Sequence, residues 1–136
     1  MAADGLITLR SSFDAGETMA RLEAAVRAAG MTVFARVDHA AGAAQIGAPL
    51  RPTDLLIFGA AMAGTPLMQA VQTIGIDLPL KALVWADEDG ATHLSYNDPA
   101  WLATRHGLGE AGKPIAAKMA GALDDLAARA TTEIRT

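Results

Sequence analysis

"IFGAAMAGTPLMQAV", residues 57–71, decides between two fold classes. An apolar, strand-like run ends in Gly59, four residues follow, and Gly64-Thr65 then leads into a helical pattern. Read as G-x-x-x-x-G-K-[ST], this would be the phosphate loop of a βαβ nucleotide-binding fold. There, backbone N–H groups cradle phosphates, a lysine neutralises them and a hydroxyl holds magnesium. The lysine position holds Thr65, and the hydroxyl position holds Pro66, which offers neither an N–H nor an oxygen. What remains is a strand-to-helix turn. Thr65 is expected to cap the helix, Pro66 to occupy its first turn, and the glycines to let the chain turn out of a buried strand. A helix N-terminus with free N–H groups still attracts a small anion such as a carboxylate.

The flanking elements follow from periodicity. Residues 5–10 form a short strand, and a helix begins near Asp14, whose carboxylate can cap it with Glu17 three residues on; Met19, Leu22, Val26 and Ala29 share one face and Gly30 stops it. From Met31 the chain alternates, with Val33, Ala35 and Val37 on one face and Thr32, Phe34, Arg36 and Asp38 on the other. That is a half-buried strand ending at His39. A brief helical turn over residues 40–45 and a Pro/Gly loop lead to the unbroken apolar run 55–59, the pattern of a strand covered on both faces or near a sheet centre. After the turn, Leu67, Met68, Val71 and Ile74 mark a helix stopped by Gly75.

"LPLKALVWADEDGATHLSY" is a β-hairpin around Asp87-Glu88-Asp89-Gly90, with glycine where positive φ is needed, and it should pair with the 55–59 or 31–38 strand in one sheet. Asp98-Pro99 supplies an N-cap and a first-turn proline for a short helix carrying Trp101 and Leu102, closed by Gly107. From about Pro114, an amphipathic stripe of Ile115, Met119, Leu123, Leu126 and Ala130 makes a C-terminal helix.

Composition bounds the function. A chain of 136 residues, 51% apolar and 19% charged, fits one domain spanning residues 1–136, though 31 of its residues are alanine and its core must lean on Leu, Ile, Val and Met. A net charge of −4, no basic cluster and 4% aromatics argue against nucleic acid and anionic membrane surfaces. Without cysteine there is no disulfide, thiolate metal site or cysteine nucleophile. With no signal sequence or long apolar window, a cytoplasmic location is expected.

His39, His93 and His106 lie on three separate elements without short ligand spacing, so no metal is expected. No cofactor is expected either. Ser11, Ser12 and Ser95 lack the setting of an activated nucleophile, and the acidic groups 87–89 and 124–125 read as solvated surface.

At "VFARVDHAAGA", "LRPTDLLIFG", "AGTPLM", "GIDLPLKALVWADEDG" and "LSYNDPAWLATRHG", in register over residues 33–107, the chain resembles the bacterial and archaeal domain of unknown function 302 family. The resemblance implies a two-layer α+β sandwich, β-α-β(4)-α in outline, with a mostly antiparallel sheet packed by helices and frequent homodimers. It brings no established activity. His39 at the strand end, Phe58 to Pro66, and Leu78 to Lys81 match family positions. Family members often carry Asn-Pro after the Phe-Gly pair, where this chain has Ala60-Ala61.

Two function classes follow. One is a homodimeric module binding a small carboxylate, a partly apolar ligand or a protein partner in a pocket between helix and sheet, with His39, Gly59, Gly64, Thr65, Lys81 and Tyr96 as candidate ligand contacts. The other is a small enzyme, with or without a metal, in which His39 serves as general acid or base oriented by Asp38 or Asp54. Binding is the preferred class.

Overall fold

A computed structural model describes residues 3–133. Its elements run β1 (Leu6–Arg10), α1 (Ala15–Ala28), β2 (Thr32–Asp38), α2 (His39–Gln45), β3 (Thr53–Gly59), α3 (Ala61–Ala70), a 3₁₀ segment (Gln72–Asp77), β4 (Leu80–Ala86), β5 (Thr92–Asn97), α4 (Pro99–Arg105) and α5 (Gly109–Thr131). The five strands form one sheet in the order β1-β5-β4-β3-β2, every neighbouring pair antiparallel. This is the expected α+β architecture, with helices packed on one face of the sheet.

Local chemistry starts several of these elements. Asp14 Oδ1 accepts from the Glu17 N–H at 2.8 Å and opens α1, and Gly30, at φ 77°, follows its last turn. Asp98 caps α4 in the same way, accepting from the Ala100 N–H with Pro99 at the first helical position. In the hairpin turn, Asp87 Oδ1 accepts from the N–H groups of Asp89 and Ala91, and Gly90 takes φ 83°. The hairpin lies against the 55–59 run, with Leu55 opposite Leu83 and Ile57 opposite Lys81.

The core lies between the sheet and α1, α4 and α5. Leu56, Phe58, Val84 and Leu94 on the sheet meet Met19, Leu22 and Val26 of α1 and Leu123, Leu126 and Ala130 of α5, all nearly or fully buried. Ala29 is exposed, because α1 turns its buried face through Thr18 and Ala25 instead. On the outer face of the sheet, Leu55, Ile57, Leu83 and Trp85 are half-buried. The apolar run of β3 is therefore fully buried on one face only.

Three boundaries differ from the expected ones. Thr65 does not cap a helix. α3 starts four residues earlier at Ala61, with Ala60 as an N-cap that has no side-chain hydrogen bond, while the Ala63 and Gly64 N–H groups bond to the Ala60 carbonyl. Alanine and methionine are strong helix formers, and the stretch 60–63 extends the helix past the threonine. Pro66 consequently sits inside the helix and cannot donate to the carbonyl of Met62, a residue 91% exposed to solvent.

The apolar pattern up to Ile74 is divided, since α3 ends at Ala70 and a 3₁₀ segment carries Ile74 into the core. α5 begins at Gly109, so Pro114 lies within it rather than at its start.

In β2 the alternation fails at Phe34. The register with β3 shifts between Val33 and Ala35, leaving Phe34 as the extra residue of a bulge. Past the bulge, Ala35 and Val37 pair with Ile57 and Leu55 on the outer face, and Arg36 takes the helix side. All residues of β2 but Val33 are exposed, as its place at the sheet edge dictates.

Candidate functional site

The end of β3, the start of α3 and the middle of α5 line a half-open cavity of about 670 Å³. Gly59, Ala61 and Gly64 line it together with Phe34 and Leu78, as do Ile115, Met119 and Ala122 of α5. The last three recur at helical spacing, which turns one stripe of α5 toward the space. Four of the chain's six methionines, Met31, Met62, Met68 and Met119, contribute to the wall. Thioether side chains are flexible and polarisable, so such a wall adapts to ligands of different shape.

The glycines leave the inner wall open. A Cβ on Gly59 would meet Pro79 and Phe34 at 3.7 and 3.8 Å, and one on Gly64 would meet Leu78 at 3.5 Å. These are ordinary contacts and neither residue has a positive φ, so neither crowding nor backbone strain demands glycine at these positions.

Lys118 is the single charged residue in the lining, and every other lining side chain is apolar. Its side chain is exposed, and none of the ion pairs or side-chain hydrogen bonds among the described residues involves it.

The residues singled out from the sequence are not gathered in one place. Gly59 and Gly64 line the cavity. Thr65 is exposed on α3 and lies outside the lining. Lys81 lines a smaller depression of about 270 Å³ with Leu55, Leu83 and Trp85 on the outer sheet face, and its Nζ donates to the carbonyls of Asp77 and Pro79. Burial draws its pKa below the usual lysine value.

Tyr96 also borders this depression, but its hydroxyl points the other way. It is buried in the core, and its hydroxyl donates to Asp124 Oδ1 of α5 at 2.8 Å. Burial, reinforced by the Asp124 carboxylate, holds its pKa well above the usual phenol value.

His39 is exposed at the first position of α2. Neither carboxylate expected to orient it does so: Asp38 Oδ1 accepts from the Ala41 N–H, and Asp54 Oδ2 accepts from the Arg36 guanidinium. The shared pocket expected around His39, Thr65, Lys81 and Tyr96 is thus replaced by two separate faces. The physical reason is strand alternation. Lys81 and Tyr96 side chains fall on opposite sides of the sheet, since Ala82 rather than Lys81 stands opposite Tyr96.

The other two histidines make specific contacts. His93 Nε2 meets Asp87 Oδ2 at 2.8 Å while its ring stacks on Trp85. His106, at the end of α4, bonds through Nε2 to Asp77, whose two carboxylate oxygens both accept from Nη1 of Arg105. Its Nδ1 lies 3.3 Å from Thr73 Oγ1. This cluster fastens the 3₁₀ segment to α4. Among the described residues no group of three His, Cys, Asp or Glu side chains converges in a way that could hold a metal ion.

The turn after β3 also disposes of a nucleotide loop. Only Ala60 separates the last residue of β3 from the first of α3, so there is no run of turned-in N–H groups to surround a phosphate. The cavity itself had one local signal in the sequence, the i, i+4, i+7 spacing of Ile115, Met119 and Ala122.

The profile of the family described as "Domain of unknown function DUF302" matches residues 7–126. The chain belongs to the DUF302 family. A solved structure titled "Crystal structure of uncharacterized conserved protein DUF302 from Bacillus stearothermophilus" superposes with a TM-score of 0.84, covering 94% of this chain and 99% of that one at 22% sequence identity, and so shares the DUF302 fold.

Sequence relatives include "Fluoride-specific ion channel FluC 1" of Brucella suis, 52% identical over 105 residues, which are 77% of this chain and 41% of that protein. The protein of the same name from Brucella abortus and "Fluoride-specific ion channel FluC 2" of Brucella melitensis are also 52% identical over 105 residues, 39% of each. This DUF302 chain spans about two fifths of the length of these relatives.

Proposed function

We propose that this DUF302 domain is a binding module for a small, partly apolar ligand held in the cavity between α3 and α5. One observation carries the reading: a half-open space of about 670 Å³ lined almost wholly by apolar side chains, within the size range of small-molecule sites. Leaving such a wall in water forgoes the gain of burying it, which a ligand with an apolar body recovers. The exposed His39, without an orienting carboxylate, lends no support to an acid–base enzyme.

The test uses Nile red, an uncharged dye whose emission shifts to the blue in apolar surroundings. Saturable binding with one site per chain is expected, and Ala122→Phe, which puts a ring into the space, should abolish it while circular dichroism stays unchanged. Absence of saturable binding to the unmodified protein would refute the reading.

Ion conduction, named for the Brucella relatives, needs membrane-spanning helices or a closed barrel. No helix among the described residues is long and apolar enough to cross a membrane, and the sheet is open, with β1 and β2 at its edges. The proposal therefore concerns the shared segment alone.

A second reading concerns assembly, and the outer sheet face favours it. Across β2, β3 and β4 that face presents Val37, Leu55, Ile57, Leu83 and Trp85, none of them fully buried. An antiparallel sheet with one wet face ordinarily alternates apolar and polar residues; here the outer face is polar across β1 and β5, through Thr8, Arg10, His93 and Ser95, and on β2 to β4 it is mainly apolar, with Lys81 at its border. We infer that two copies pack these faces together as a homodimer, sheet against sheet.

A further inference from the structure

We propose that the ligand of the cavity is a single-tailed anionic amphiphile, free in solution, whose tail fills the methionine-rich space and whose head group pairs with Lys118. The inference rests on the cavity reading above and specifies its ligand class.

The argument is one of charge complementarity. The lining contains one ionisable side chain, and it is a cation. Lys118 sits on the α5 stripe between Ile115 and Ala122, so its four-carbon stem can lie along the apolar wall while its ammonium group stays at the wet rim. The other charged residues of that part of the helix are engaged elsewhere, with Lys113 paired to Glu110 at 2.8 Å. Residues 114, 115, 121 and 122, one turn away on either side of Lys118, carry no carboxylate, so nothing on the same helix competes for it.

On a chain whose formal net charge is −4, a lysine beside an apolar cavity and without an ion-pair partner among the described residues is a local exception to the overall field. A neutral ligand would leave it idle, and a cationic one would be repelled. The flexible methionines suit a tail with many rotamers better than a rigid ring system.

Decanoate and decanol, which share a tail and differ in the head, provide the test. Both are titrated below their aggregation limits against the unmodified protein, Lys118→Gln, Lys118→Arg and Ala122→Phe at low ionic strength. Exposed ion pairs contribute modestly, so the ratio of decanoate to decanol affinity should fall about two- to fivefold in Lys118→Gln. It should be retained in Lys118→Arg, and it should shrink in the unmodified protein as salt is raised. Ala122→Phe should weaken both ligands alike. Binding of decanol with a ratio unchanged by Lys118→Gln would overturn the head-group assignment and leave the cavity reading standing. Failure of both compounds and of Nile red to bind the unmodified protein would overturn the cavity reading itself.

Discussion

His106, at the end of α4, donates from Nε2 to the carboxylate of Asp77 on the 3₁₀ segment, and through this bond two elements 29 residues apart in the chain are held together. Burial opposes ionisation of Asp77, but the His106 hydrogen bond and the charge of Arg105 outweigh it and hold the carboxyl below the usual aspartate range. A carboxyl with a lowered folded-state pKa contributes stability above its unfolded value, and that stability is lost as pH falls through the folded one.

Asp77→Asn should therefore cost about 2 kcal/mol near neutral pH, the scale of hydrogen bonds to a charged group. The gap between the two proteins should begin to close below the ordinary aspartate value of about 3.9. Urea denaturation at neutral and at acid pH measures both numbers. A gap that stays constant into strong acid would contradict the assignment.

Tyr96 is the chain's one tyrosine, so its ionisation can be read without interference. With burial and Asp124 both favouring the protonated hydroxyl, the folded protein should show little tyrosinate absorbance at about pH 11, where a free phenol of pKa near 10 is mostly ionised. Unfolding in urea at that pH should release the full signal. Removing the donor in Tyr96→Phe should cost about 1 kcal/mol, since Asp124 is exposed and water can replace the lost bond.

The missing cap on α3 predicts a gain. Ala60 already has the extended backbone of an N-cap, φ −137° and ψ 132°, and Ala61 is the first helical residue. Family members' Asn-Pro would place a capping amide and a first-turn proline at these two positions. Ala60→Asn should stabilise the protein by about 1 kcal/mol, and adding Ala61→Pro should not reverse it, because the residue before it is already in the region that precedes proline. Thr65→Ala, in contrast, should change stability by less than about 0.5 kcal/mol, as for other exposed positions without a partner. A loss of about 1 kcal/mol in Thr65→Ala would restore the threonine cap that the structure replaces.

Assembly is tested on the outer sheet face. Light scattering of the unmodified protein should give twice the 14.0 kDa chain mass, and Leu83→Lys, which puts a charge at the centre of the apolar face opposite Leu55, should return the single-chain value. A monomer before any substitution would refute the sheet-to-sheet dimer.

The sequence by itself determined the elements whose cause is local. Asp14 with Glu17, Asp98 with Pro99 and the Asp87 to Gly90 turn each satisfy backbone groups within a few residues, so their side chains announce the structure directly. The antiparallel hairpin, and its need for the 55–59 or 31–38 strand as a neighbour, followed from the same reasoning, and the structure chooses the 55–59 run.

Tertiary structure decided where two local preferences competed or where residues distant in sequence had to meet. At α3, the helix propensity of Ala60 to Ala63 prevailed over the capping preference of Thr65, and propensities of similar size cannot be ranked without the packing around them. In β2, one extra residue at Phe34 reversed the face of everything after it, because side chains alternate with period two and a bulge leaves no mark in composition. The cavity depends on a strand end, a helix start and a stripe of α5 more than 50 residues further along, and only folding makes Gly64 and Lys118 share a wall.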